Sequence, residues 1–202
     1  MPSNSTGRRE DAIVTRRSSD PRALDHMIAR DQIHQLADRY AVAVDGKDVD
    51  SIAALFVEDV DNGRYGPGRD GVKTFYDHVL REFHCSMHLV ANHPIELDDD
   101  HRAHGVVYCR AQHHVLDPEH WFDMALAYFD TYERVGDEWF FRRRVLKSWY
   151  RQEFGHPEHG TDRVTTPVST EGPMRGMQLP EGFPTFESFW ARGPRPLPER
   201  GT

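Results

Sequence analysis

The chain has 202 residues and a formal net charge of −8, with 38% apolar and 29% charged residues. Its length suits one ordinary domain with tails, and its acidic balance argues against a nucleic-acid partner, which would show a basic stripe. No run of 18 apolar residues is present to span a membrane, and the two cysteines, Cys85 and Cys109, cannot build a disulfide framework and lack metal-site spacing.

The first stretch, MPSNSTGRREDAIVTRRSSDPR, is rich in Ser, Arg and Asp and has no periodicity. It reads as a disordered leader over residues 1–22. Neither Arg8-Arg9 nor Arg16-Arg17 is followed by an apolar segment, which argues against a secretory or twin-arginine signal. With the cysteines read as reduced, the expected location is the cytoplasm.

From Leu24 to Val44 apolar residues recur three and four apart, at Ile33, Leu36, Ala37, Tyr40, Ala41 and Val44, which predicts an amphipathic helix. Gly46 ends it as a left-handed cap. Asp48 or Asp50 then caps a second helix carrying Ile52, Ala53, Leu55 and Phe56. A short extended piece, Asp59 to Asn62, leads into the loop NGRYGPGRDG. A third helix follows over about Gly71 to Arg81, with Val72, Phe75, Tyr76 and Val79 on one side.

Helical spacing then disappears. His84 to Leu97, Ala103 to Leu116, Trp121 to Arg134 and Glu138 to Tyr150 read as four long strands, separated by the turn sequences DDDH, DPEH and VGDE. Three helices followed by an antiparallel meander define an α+β fold, with the sheet curling around the helices to leave a concave face able to enclose a pocket. The domain is expected over 23–154. Residues 155–202 form a Pro-rich extension that holds eight of the thirteen prolines and ends in Phe183, Phe186, Phe189 and Trp190. These aromatics suggest a segment that docks over the barrel mouth or against a neighbouring subunit.

Two features are chemically unusual. Asp45 lies on the apolar face of the first helix, at its C-terminus, where the helix dipole disfavours a carboxylate by roughly 0.3–1 kcal/mol. It needs a cationic or hydrogen-bonding partner, unless it is a solvated residue just past the last turn. Nine of the thirteen histidines lie between His78 and His120. In the first long strand His84, Ser86, His88, Val90 and Asn92 share one parity, opposite the apolar set Cys85, Met87, Leu89 and Ala91. That pattern fits either a polar pocket inside a curled sheet or a solvated sheet face. A metal site is not expected: His84 and His88 sit about 13 Å apart on a strand, and no HExxH pattern is present.

The strings RYAVAVDGKDVDSIAALFVED, HLVANHPIELDDDHRAHG and YFDTYERVGDEWFFRRRV, in that order, resemble the SnoaL-like branch of the nuclear transport factor 2-like superfamily over roughly residues 25–154. The resemblance implies a cone-shaped α+β barrel of a strongly bent, mostly antiparallel sheet around three N-terminal helices. It also implies a cofactor-independent, metal-free lyase, dehydratase or isomerase acting on a small hydrophobic cyclic substrate of polyketide, steroid or terpenoid type. The dehydratases and the dehydrochlorinase of this branch share an Asp–His dyad, which maps onto Asp45 and His88. His88 is then the general base, and Asp45 orients its ring and stabilises the imidazolium.

Tyr40, five residues before Asp45, is similar in spacing to the tyrosine of bile-acid dehydratase. Arg144 shares parity with Phe140 and Leu146, and family members carry an arginine near this place. Asn92 shares the His88 face. Arg144 and Asn92 are therefore the expected substrate-binding residues, and Tyr40 the expected third catalytic one. Val44 stands where scytalone dehydratase has its tyrosine, so that enzyme's water-mediated route is not implied. Two other readings share the fold: a non-catalytic small subunit of a ring-hydroxylating dioxygenase, and a ligand-binding protein. Apolar residues on both sheet faces point to a homodimer or homotrimer.

Overall fold

The computed structural model describes residues 21–154, 180 and 182–198. Residues 1–20 of the leader expected over 1–22, and much of the extension expected over 155–202, lie outside the described residues. Helix α1 (Ala23–Asp45) buries all six periodic residues, Ile33 to Val44, as its spacing requires. Helix α2 (Val49–Ala54) starts where the Asp48 side chain accepts the Ser51 N–H, an ordinary N-cap. A 3₁₀ turn (Gly63–Tyr65) precedes α3 (Gly68–Val79).

The strands are β1 (Cys85–Val90), β2 (Ile95–Leu97), β3 (Arg102–Leu116), β4 (Glu119–Val135) and β5 (Glu138–Phe154). They pair antiparallel in the order β1-β3-β4-β5, with β2 also on β3. Helix α1 packs against both β1 and β5, the two ends of that order. A sheet can touch one helix with both edges only by curling around it, and the core fills the inside of that curl. Tyr40, Tyr76, Tyr128, Tyr132 and Phe141 are all buried there. A short helix, α4 (Phe186–Ala191), follows in the C-terminal segment.

Four local expectations need correction. Gly46 is not a left-handed cap: its φ is −79°, and the left-handed residue is Lys47, at φ 53°. Glycine suits 46 for space, because a Cβ there would lie 3.0 Å from the Phe183 ring and 3.2 Å from the Val42 carbonyl oxygen, and the neighbours would have to give by a few tenths of an ångström. Asp59 to Asn62 is not extended beyond a single bridge, Asp61 to Pro67, and α3 begins three residues early, at Gly68.

The fourth correction concerns the run His84 to Leu97, which is two strands. Val90 pairs with Cys109 and Ile95 with Gly105, so four residues on one side face three on the other. Pro94, in that gap, has no N–H to give a ladder. The extra residue is a bulge, and it inverts the facing of everything after Val90.

Candidate active site

Asp45 and His88 meet. Asp45 Oδ1 lies 2.7 Å from His88 Nδ1, although the two residues come from the last turn of α1 and the middle of β1. Both are nearly enclosed, with side-chain exposures of 13% and 5%. Asp45 is fixed at both oxygens: Ser86 Oγ donates to Oδ1 at 2.7 Å, and the His88 backbone N–H donates to Oδ2 at 2.9 Å. A carboxylate only accepts, so His88 Nδ1 carries the proton toward Asp45 and Nε2 is left as the basic nitrogen. Among the described residues Nε2 has no hydrogen-bond partner. The three donors explain how a carboxylate is tolerated at a helix C-terminus.

The strand parity was informative in an inverted sense. Met87 and Leu89, the apolar set, are on the outer face and 47% and 53% exposed. The polar set, Ser86 and His88, faces in. Asn92 does not join it. It lies in the bulge after Val90, exposed, with its carbonyl accepting the Tyr108 N–H at 2.9 Å, and no described contact links its side chain to the dyad.

Tyr40 is in the core rather than beside Asp45. Its ring packs edge-on against Tyr76, Tyr128 and Phe141, and its hydroxyl accepts from Tyr76 at 3.2 Å. Burial pushes its pKa above the ordinary tyrosine value, with Arg144 opposing. Arg144 does point inward. Its Nε and Nη2 grip Asp130 at 2.8–3.2 Å, and its guanidinium lies 4.1–4.3 Å from the Tyr40, Tyr128 and Phe141 ring centres. Burial alone would lower its pKa, but Asp130 outweighs that and raises it. Among the described residues its Nη1 is buried with no partner. The Arg144–Asp130 pair is neutral as a unit, so what it offers the interior is the two N–H groups of Nη1 rather than a net charge.

Three contributors were not foreseen. Ser86 is one. Asp130 is the second, also bonded by the Tyr132 hydroxyl at 3.1 Å, with Tyr132 in turn 2.8 Å from His93 Nε2. The third is His113, opposite Ser86 in the ladder. Its ring is 5.5 Å from that of His88, edge-to-face, and it lies stacked on Phe122 and edge-on to Phe83. Burial, then the neighbouring His88, pulls its pKa down to about 3, so it is a neutral imidazole. Its Nδ1 is buried without a partner among the described residues. The density of histidines was the only signal for it. Among the described residues no three His, Cys, Asp or Glu side chains are grouped to hold a metal. No described helix is long and apolar enough to cross a membrane, and no disulfide joins Cys85 to Cys109.

A bent antiparallel sheet curled over N-terminal helices defines the cone-shaped nuclear transport factor 2-like class. The sequence profile of the SnoaL-like domain matches residues 25–145, and the chain belongs to that family. No curated protein matches it in sequence. Among solved structures it is similar to a candidate scytalone dehydratase from Novosphingobium aromaticivorans, at 25% identity over 66% of this chain and 90% of that one, with a TM-score of 0.56. It is also similar to the LinA-type3 hexachlorocyclohexane dehydrochlorinase of Novosphingobium barchaimii LL02, at 19% identity over 65% and 93%, TM-score 0.60. A third is a candidate aromatic ring hydroxylase from Novosphingobium aromaticivorans, at 21% identity over 63% and 94%, TM-score 0.55.

Proposed function

We propose that the protein is a lyase or isomerase that needs no cofactor and acts on a small, hydrophobic, cyclic molecule. His88 Nε2 removes a proton from carbon next to a carbonyl or a leaving group. The C–H electron pair becomes the new double bond, and the leaving group departs with its own bonding pair. Asp45 holds the His88 ring in the reactive tautomer and stabilises the imidazolium formed. The observation that carries this reading is the 2.7 Å contact between Asp45 Oδ1 and His88 Nδ1, within a carboxylate already fixed by Ser86 and the His88 backbone.

The substrate's polar end is uncharged in this reading. The interior donors are a neutral imidazole, His113, and an arginine already neutralised by Asp130, each with an unused buried nitrogen. Such groups suit a carbonyl, hydroxyl or halogen and recognise a carboxylate poorly. Arg144 and His113 are therefore the substrate donors, and Tyr40 is the aromatic wall that seats Arg144. The dioxygenase small-subunit reading requires no Asp–His pair, so the pair favours an enzyme. A cytoplasmic location and a domain spanning 23–154 with a C-terminal extension belong to the same proposal.

The test is turnover of neutral cyclic ketones, alcohols and halides by wild type and His88→Ala. A base contributes about 10²–10⁴ in rate, and a folded His88→Ala protein with wild-type turnover would eliminate the mechanism. We further propose a homodimer or homotrimer through the outer sheet face, where Met87, Leu89, Tyr108, Phe129 and Trp149 are exposed. Leu89→Lys with Trp149→Glu should give a monomer by light scattering, and a wild-type monomer at micromolar concentration would contradict the assembly.

A further inference from the structure

Lys47 is the most unusual residue outside the dyad. It is a left-handed, non-glycine residue at φ 53°, two positions after Asp45, and its side chain is 2% exposed. Its ammonium donates to the carbonyls of Leu80 at 2.7 Å and Phe83 at 2.9 Å. The rings of Phe83, Trp190 and Phe189 stand 4.5, 5.1 and 5.3 Å from it, an internal cage for a cation. Two of those three rings come from α4.

The same C-terminal segment grips both roots of the dyad. On the Asp45 side, Thr185 Oγ1 donates to the Gly46 carbonyl at 2.6 Å, and the Phe183 ring packs so closely on Gly46 that a Cβ there would lie 3.0 Å from it. On the His88 side, the ring of His84, just before β1, lies 6.1 Å from Trp190, stacked, and 5.4 Å from Phe186, edge-on. The far end is anchored on α3 and just past it. Arg81 donates to the carbonyls of Phe189 and Gly193, and fully buried Asp77 takes the Arg195 N–H at 2.7 Å and pairs with Arg81 and Arg192. This segment lies beyond the 25–145 stretch that matches the family.

We propose that residues 182–198, acting through Lys47, are a positioning element for the Asp45–His88 pair. A helix end frays in its last turn, and Asp45 is the last residue of α1. The corner that follows it is held by the Lys47 cage on one side and the Thr185–Gly46 hydrogen bond on the other. The segment therefore sets where the carboxylate stands relative to His88, without touching the reacting atoms. The idea rests on the dyad reading for its functional meaning, but its test reads the hydrogen bond itself.

The experiment is NMR of the His88 Nδ1 proton in the full chain, following its chemical shift and solvent-exchange rate. Lys47→Met, Thr185→Val and Trp190→Ala are compared with wild type and with Ile33→Val, a core variant of the barrel. Thr185→Val and Trp190→Ala change only residues of the C-terminal segment, so they inform even where Lys47→Met fails to fold. The expected result is an upfield-shifted signal and about tenfold or faster exchange in the tail and Lys47 variants, with Ile33→Val unchanged. Folded Thr185→Val and Trp190→Ala proteins with the wild-type signal would overturn the proposal. Equal disturbance by Ile33→Val would overturn it too, because the effect would then be general loosening. Neither result bears on His88→Ala turnover, so failure here is distinct from failure of the catalytic reading.

Discussion

Replacing Asp45 by Asn tests the orienting role most sharply, because the geometry allows the amide only two arrangements. With its oxygen kept toward Ser86 and His88 Nδ1, its nitrogen faces the His88 backbone N–H, 2.9 Å from the present Oδ2. That donor-against-donor contact leaves a buried N–H unpaired, at about 1–3 kcal/mol. With the amide reversed, its oxygen accepts the backbone N–H, and its nitrogen donates to Ser86 Oγ and to His88 Nδ1. The amide, the His88 backbone N–H and His88 Nδ1 are then satisfied, provided Nδ1 becomes the acceptor and the proton moves to Nε2, and only the Ser86 hydroxyl must turn to another acceptor. The reversed arrangement wins, and it turns the base into a donor.

Charge-assisted bonds are lost, but a carboxylate is also removed from a helix C-terminus, an offset of roughly 0.3–1 kcal/mol. The net destabilisation should be only about 1–2 kcal/mol, while turnover falls by about 10⁴, the scale of a wrong tautomer in a triad. Urea unfolding measures the first, initial rates the second, and ¹⁵N NMR the position of the imidazole proton. A folded Asp45→Asn protein with the proton still on Nδ1 and near wild-type rates would refute the reasoning. Combined with His88→Ala, the loss should be no larger than for His88→Ala alone, because the residues act as a unit.

Other outcomes follow from the same geometry. His113→Phe removes a buried, unpartnered nitrogen while keeping a ring between Phe122 and Phe83; it should stabilise the fold by about 1 kcal/mol and still lower turnover, as read by thermal melting and initial rates. Arg144→Met strands Asp130 as a buried charge and should cost about 3–5 kcal/mol in urea unfolding, whereas adding Asp130→Leu should recover most of it. Lys47 gives a pH signature: burial lowers its pKa from 10.5 to about 7, with Cys85 and Asp45 opposing. Between pH 7 and 10.5 the unfolded chain holds the proton that the folded chain has released, so this group makes stability rise with pH across that window, by up to about 4–5 kcal/mol, and removes that gain as pH falls through 7. Urea midpoints of wild type and Lys47→Met between pH 6 and 10 check the sign, and parallel curves would contradict it.

Much of this protein was legible in one dimension. The three- and four-residue spacing of Ile33 to Val44 defines the buried face of α1. That face carries Asp45 inward, because position 45 continues the same stripe. The turn sequences bound the long strands to within a few residues, and the alternation of Ser86 and His88 with Met87 and Leu89 separates two faces. Which face is inside is a different matter. The apolar side of β1 faces outward, and only the curl of the sheet around α1 decides that the polar side is enclosed.

Three residues without cross-strand partners, which no periodicity reveals, decide much of the rest. The unmatched residue between Val90 and Ile95 turns Asn92 away. Arg142 is passed over in the β5 ladder, so that Phe141 and Arg144, three apart, both enter the core, and Trp149 is passed over further along. Each bulge inverts the alternation on which strand reading depends, and its position is set by how β3, β4 and β5 must bend to close over the helices. Contacts between residues distant in sequence are hidden for the same reason. Ser86 opposite His113, Arg144 against Asp130, and Lys47 beneath Trp190 follow from ladder register and the docking of α4, which packing selects after the local elements have formed.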